Sequence, residues 1–131
     1  MCLPQKSFFA GEGRYRIELT AIITGDGISV TLTGGEKPHV GGVALCIPEP
    51  GMEDGFKTAE ISLPGHRDTG AARPVAEMLC QLTGEKTAVV CGIHIDDACG
   101  WEIAKLLQNC VDAADELVKE LTKEKTGDTD A

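Results

Sequence analysis

The sequence contains few aromatic residues and few basic ones. Only 4% of its 131 residues are aromatic, and 12 lysines and arginines are set against 21 aspartates and glutamates, for a formal net charge of −9. A nucleic-acid-binding surface needs clustered cations to neutralise phosphates, so this balance argues against that class. No apolar run approaches the ~20 residues of a membrane-spanning helix. We expect neither a nucleic-acid nor a membrane partner.

The six cysteines show no C-x-x-C spacing, and the N-terminal residues lack the long apolar stretch of an export signal. Most of the cysteines fall at apolar positions, where cysteine behaves as a small hydrophobic residue. We therefore predict reduced thiols in a cytoplasmic protein. Cys91 and Cys99 flank His94, but for both the sequence favours a structural thiol over a catalytic one.

Hydrophobic periodicity predicts five strands and two helices in one domain. Residues 14–23 and 28–33 alternate apolar and polar side chains around a Gly-Asp-Gly turn, which is typical of an antiparallel hairpin. Apolar spacing predicts helices over about 68–82 and 98–121, and Pro74 favours a start of the first helix near Gly70 or Ala72. The remaining strands are predicted over 43–47, 59–63 and 87–93.

This order of elements predicts an α+β fold, a mostly antiparallel sheet with two helices packed on one face. The strand over 87–93 lacks alternation, so we expect it to be central. A single domain is predicted over 1–122. Residues 123–131 are polar and are expected to form a disordered tail.

Each of the three histidines lies where a predicted strand meets a turn rich in glycine or proline. His39 precedes the third strand, His66 follows the Pro-Gly pair after the fourth, and His94 ends the fifth. Strand ends often gather ligands, because the sheet holds them in place while the loops can vary. Three neutral imidazoles with water or a carboxylate can form an open transition-metal site.

Several neighbours of these histidines have more than one interpretation. Asp68, Asp96 and Asp97 are candidate metal ligands or partners that fix an imidazole tautomer. Alternatively, Asp68 caps the first helix, and Asp97 or Asp96 caps the helix that begins near Ala98. Arg67 is the best placed cation for an anionic ligand, whereas packing at the start of a helix is favoured over ligand stacking for Trp101. Spacing alone leaves a metal site and solvated turn histidines both open.

Three segments together resemble a known family: "GGEKPHVGGVAL" (34–45), "ISLPGHRDTGAARPVAEML" (61–79) and "TAVVCGIHIDDACGWEIAKLLQN" (87–109). In this order and spacing they are similar to the prenylated-flavin chaperones typified by LpdD, which accompany UbiD-type decarboxylases. The resemblance runs from about residue 13 to 121. It implies a fold like that of proteasome-assembling chaperones and a homo-oligomer, for which we expect a dimer.

The resemblance also implies a function. The chain is expected to be no enzyme, and to hold reduced prenylated flavin mononucleotide and aid its delivery to, or maturation in, a UbiD-type decarboxylase. By position, His39, His66 and His94 would form one site, where a divalent transition metal bridges to the cofactor. Arg67 would add a charge-assisted hydrogen bond. The expected cofactor-binding residues are His39, His66, Arg67, Asp96 and Trp101.

Two functions from other classes remain open. In the first, a three-histidine metal activates water for a small hydrolase or lyase, with Asp96 or Asp97 as the base. In the second, the chain is an assembly chaperone that acts only through protein contacts, and its histidines are incidental.

Overall fold

The structure, a computed structural model, describes residues 3–65 and 68–125. These residues form six strands, two long helices and one short 3-10 turn over Gly13–Tyr15. The helices are α1 (Thr69–Thr83) and α2 (Gly100–Lys125). The strands are β1 (Gln5–Ala10), β2 (Ile17–Ile23), β3 (Ile28–Gly35), β4 (Gly42–Pro48), β5 (Phe56–Ser62) and β6 (Thr87–His94).

The strands lie in the order β1-β2-β3-β6-β4-β5 in a single sheet. β3 and β6 pair in parallel, with Leu32 opposite Cys91, and the other neighbours pair antiparallel. The sheet is therefore mostly antiparallel, and β6 lies in its interior, as its unbroken apolar sequence predicted.

One face of the sheet forms the core, because alternate residues of the central strands point toward the helices. Leu19, Leu32, Cys91 and Ala44 are completely buried on this face. α1 packs over β4, β5 and β6, while α2 packs over β1 and β2 and against α1. Both helices contribute to one buried cluster. The predicted α+β architecture is thus confirmed.

Several element boundaries differ from the prediction. β1 was not predicted, and the first predicted strand is shorter, because residues 13–15 form the 3-10 turn. α1 begins at Thr69, so Pro74 lies in its second turn. α2 runs to Lys125, past the expected start of the polar tail at residue 123, and residues 126–131 lie outside the described part.

α2 is 26 residues long, but polar side chains interrupt its apolar stripe. Within residues 3–65 and 68–125, no helix is long and apolar enough to cross a membrane.

Candidate functional site

A cavity of about 810 Å³ opens between the end of β6, the start of α1 and the first turns of α2. Its polar lining residues come from the loop before β4, the start of α1 and the end of β6: Lys37, His39, Asp68 and His94. Its apolar wall comes from β6, the following loop and α2: Ile93, Ile95, Ala98, Ile103, Leu106 and Leu107. This volume lies within the range of pockets that hold drug-sized ligands.

Asp68 is the most buried charged group at the cavity, with 7% of its surface exposed. It immediately precedes α1, yet its side chain does not cap the helix. Its Oδ1 atom instead accepts a hydrogen bond of 2.8 Å from the backbone N–H of Ile93 on β6. Its Oδ2 atom lies 3.1 Å from Nε2 of His39. The side chain thus contacts a histidine, one of the roles predicted for it, and does not cap the helix.

His39 has an oxygen acceptor at each ring nitrogen. Nε2 faces the Asp68 carboxylate, and Nδ1 lies 2.8 Å from the carbonyl oxygen of Lys37. Both ring nitrogens are therefore within hydrogen-bonding distance of an oxygen atom of the protein, and the ring orientation is fixed from both sides.

Two glycines from the histidine motifs let this pair form. A Cβ atom on Gly92 would overlap the carbonyl oxygen of His39, and a Cβ atom on Gly41 would overlap Oδ2 of Asp68. The close approach brings the N–H of His39 to 3.3 Å from the carbonyl of Gly92. A Cβ atom at position 92 would require a shift of the backbone, whereas one at position 41 would displace the Asp68 side chain.

His94 ends β6, and its Nε2 atom lies 2.9 Å from Oδ1 of Asp96. This hydrogen bond, and then the charge of Lys37, lower the pKa of the Asp96 carboxyl. The backbone of Asp96 is held from both sides: its N–H donates to Glu36 at 2.8 Å, and its carbonyl accepts from Arg14. The loop between β6 and α2 is thereby fixed against the turn after β3.

The side chain of Glu102 caps the start of α2. Its carboxylate accepts hydrogen bonds from the hydroxyl of Tyr15 at 2.6 Å and from the backbone N–H of Cys99 at 3.1 Å. The Tyr15 bond, followed by those from Cys99, lowers the pKa of the Glu102 carboxyl, and the same bond raises the pKa of Tyr15. A glutamate that binds the N–H three residues before it is half of a capping box.

The predicted helix cap at Asp97 was wrong. The carbonyl of Cys99 accepts the first helical bond, from Ile103, so Cys99 is the N-cap of α2. Asp97 lies two residues earlier in the loop, with a φ of 52°. Aspartate adopts this left-handed backbone conformation more readily than most residues do.

The structure brings together part of the predicted site. His39 and His94 line the same cavity, and Asp96 contacts His94 without lining it. Trp101 is 64% exposed and is not part of the lining; its ring packs against Tyr15 with centroids 5.9 Å apart. The predicted residues His66 and Arg67 lie outside the described residues. Among the residues that the structure describes, no three metal-ligating side chains converge.

Sequence reasoning missed Lys37 and the apolar wall. Lys37 stands two residues before His39, so its proximity to the histidine was the available signal. On α2, Ile103 and Leu107 remain 45% and 36% exposed, so the apolar stripe is wider than packing on the sheet requires. A stripe that broad indicates a second apolar surface besides the core.

Comparison with known proteins identifies the group to which this arrangement belongs. A family model described as a prenylated flavin chaperone LpdD-like domain matches residues 11–122. A chain from a chaperone complex for yeast 20S proteasome assembly superposes with a TM-score of 0.60 at 16% identity, over 95% of this chain and 98% of that one. At that identity the likeness shows the fold alone. Among curated proteins, none matches. Because the family model spans most of the sequence, the chain belongs to the LpdD-like prenylated flavin chaperone family.

Proposed function

We propose that this chain holds reduced prenylated flavin mononucleotide in the cavity between β6, α1 and α2, and passes it to a UbiD-type decarboxylase in the cytoplasm. The observation that carries the proposal is the division of the cavity into an apolar wall and a polar edge. The cargo is divided in the same way, with a flat, largely apolar ring system and a charged phosphate. Membership of the family supports the identity of the cargo.

The polar edge suits the phosphate end of the cargo. The Lys37 ammonium and the His39 ring lie on it, in a chain whose net charge is −9. The first residues of α1 open onto the same edge at Gly70, where the helix dipole adds partial positive charge. Charge-assisted hydrogen bonds from such groups hold phosphates well. The ring system would then lie along Ile103 and Leu107.

The described residues do not by themselves gather the metal site that the sequence predicted, and its third ligand, His66, lies outside them. The ring nitrogens of His39 face Asp68 and the carbonyl of Lys37, and Nε2 of His94 faces Asp96. The proposal therefore assigns the phosphate to protein cations and derives no step through a metal. Two measurements distinguish a phosphate held by protein cations from one held by a metal. They are metal analysis of the purified protein and flavin retention before and after chelation. Flavin release on chelation would support the three-histidine metal site instead.

A substitution in the apolar wall tests whether the flavin binds in this cavity. Leu107→Asp places a carboxylate there, and we expect it to weaken retention of the reduced flavin at least tenfold in anaerobic gel filtration. Leu82→Asp is the matched control, because Leu82 is also an exposed helical leucine and does not line the cavity. Wild-type protein that never retains the flavin would overturn the proposal. Turnover of the cargo by the chain alone would contradict the accessory role.

A further inference from the structure

The only tryptophan and the only tyrosine of the chain lie together on the surface, and neither lines the cavity. The ring centroids of Trp101 and Tyr15 are 5.9 Å apart, yet 64% of Trp101 remains exposed. Packing against Tyr15 therefore covers only the smaller part of this side chain. Tryptophan and tyrosine are enriched among the residues that carry most of the binding energy of protein interfaces.

A cation lies beside the two rings. Lys105 follows Trp101 by one helical turn, and its ammonium lies 5.8 Å from the centroid of the Tyr15 ring. On the same helix Lys119 pairs with Asp115 at 3.2 Å, whereas Lys105 forms no ion pair among the residues that the structure describes. Its charge is therefore exposed and unpaired, in a chain whose net charge is −9. We name the surface formed by Tyr15, Trp101 and Lys105 the tryptophan surface.

Buried contacts hold the tryptophan surface in place. The hydroxyl of Tyr15 donates to Glu102 at 2.6 Å, and its backbone carbonyl accepts a hydrogen bond of 2.8 Å from the side-chain amide of Asn109. Both partners are buried residues of α2. A surface fixed in this way has little conformational entropy to lose when a partner binds.

The tryptophan surface and the cavity lie on two flanks of the same turns of α2. Trp101 and Lys105 contact Tyr15 on one flank, whereas Ile103 and Leu107 line the cavity on the other. Residues four positions apart share a flank of a helix, so the two pairs stay separate. A partner bound to the tryptophan surface therefore stands beside the cavity without filling it.

The charges around the rings select the chemistry of the partner. Lys105 offers an unpaired ammonium, which favours a carboxylate. Arg14, whose guanidinium lies 5.9 Å from the Tyr15 ring, is already paired with Glu36 at 3.5 Å. Glu12 and Glu36 are exposed and would repel a polyanion such as a nucleic acid. A single carboxylate next to an apolar side chain suits these surroundings better than a run of negative charges.

We infer that the tryptophan surface binds a segment of a partner protein in which one carboxylate stands beside an aromatic or large apolar side chain. The carboxylate pairs with the Lys105 ammonium, and the apolar side chain covers the ring of Trp101. This inference does not depend on the identity of the cargo, because the surface lies outside the cavity.

The fluorescence of Trp101 tests the inference without any flavin, because no other tryptophan contributes to the signal. The probe is a capped pentapeptide with one glutamate between two phenylalanines, and its matched controls carry glutamine or lysine in place of the glutamate. We expect the glutamate peptide to change the fluorescence with a dissociation constant of about 1 mM, and both controls to bind at least about fivefold more weakly.

Two variants locate the contact. Lys105→Glu should remove the preference for glutamate. Lys57→Glu is the matched control, because Lys57 is also an exposed lysine without an ion pair among the described residues, and it lies on β5 at the other edge of the sheet. Trp101→Ser removes the reporter, so its binding is followed by NMR signals of the peptide and should be lost. Circular dichroism should show that every variant is folded.

Four outcomes would overturn this assignment. The first is a glutamate peptide that leaves the fluorescence of Trp101 unchanged. The second is a lysine peptide that binds as well as the glutamate peptide, and the third is a preference for glutamate that survives Lys105→Glu. The fourth is a stronger response to a short oligothymidylate than to the peptide, since the surface would then belong to a nucleic acid.

Discussion

The Nε2 atom of His39 lies 3.1 Å from the Oδ2 atom of Asp68, although the two residues are 29 positions apart in the chain. Asp68 also binds the backbone of Ile93, so one carboxylate joins the loop before β4, the start of α1 and the end of β6. These three segments carry the polar edge of the cavity. The geometry of the site therefore depends on this buried carboxylate.

Removal of the Asp68 carboxylate should destabilise the protein. Asp68→Ala removes the hydrogen-bond partner of the Ile93 N–H and the contact to Nε2 of His39, and we expect a loss of about 2–4 kcal/mol in the free energy of unfolding. Asp68→Asn keeps an oxygen for Ile93 and should lose about half as much. Urea denaturation measures both values. Equal stability of wild type and Asp68→Ala would show that the carboxylate does not hold these segments together.

A methyl group at Gly92 should displace His39. The new Cβ atom would overlap the backbone carbonyl of His39, which cannot move aside as a side chain could. We therefore expect Gly92→Ala to lower the free energy of unfolding by at least about 2 kcal/mol. Gly100→Ala is the control, since nothing lies near its Cβ position at the start of α2, and its stability should change by less than about 1 kcal/mol. The His39 ring signals in NMR spectra should shift in the first variant only. Unchanged spectra of Gly92→Ala would contradict the close approach.

Glu102 should make stability depend on pH in the acid range. Its pKa in the folded protein is lowered from the ordinary value of 4.5, chiefly by the hydrogen bond from Tyr15. A depressed carboxyl pKa stabilises the fold above pH 4.5, and that stabilisation is lost as the pH falls through the folded pKa. Glu102→Gln should therefore lose stability near neutrality and show a smaller decrease between pH 5 and pH 3 than wild type. If the stability of the two proteins fell in parallel with pH, Glu102 would not be the source of the pH dependence.

The thiols should differ sharply in reactivity. Burial raises the pKa of Cys80 and of Cys110 to about 12, and it raises the pKa of Cys91 as well. Few thiolates form there at pH 8, whereas Cys99 is exposed to solvent. Iodoacetamide should modify Cys99 and spare the buried thiols until denaturant is added, as measured by peptide mass spectrometry. Cys110 lines the cavity, so rapid labelling of its thiol in the native protein would show that the cavity opens to solvent at this residue.

Most of the fold could be predicted from the sequence, because the strands and helices carry strong periodicity. β2 and β3 alternate around a glycine turn, and α2 carries a long apolar stripe. β1 was missed because it is an edge strand, where Phe8 and Phe9 are adjacent and Lys6 points to the helix side to meet Glu124. Such a pattern shows no clean alternation.

The site could be predicted only in part. The glycines around His39 and His94 indicated tight turns, and the structure brings both histidines to one cavity. The contacts of His39 were not predictable, because Asp68 and the carbonyl of Lys37 meet its ring only in three dimensions. For Trp101 the sequence favoured packing at the start of a helix, and the ring packs against Tyr15 in the first turn of α2; only the partner was not predictable.

The position of β6 has a consequence for synthesis of the chain. β1, β2 and β3 pair with one another, and β4 pairs with β5, but these two units share no hydrogen-bond ladder until β6 pairs with both β3 and β4. A nascent chain that has not reached Thr87 therefore consists of two separate half-sheets, and the inner strand of each has unpaired backbone groups. The sheet can form completely only after its last strand, β6, has left the ribosome. A ribosome stalled before that point would present two aggregation-prone strand edges.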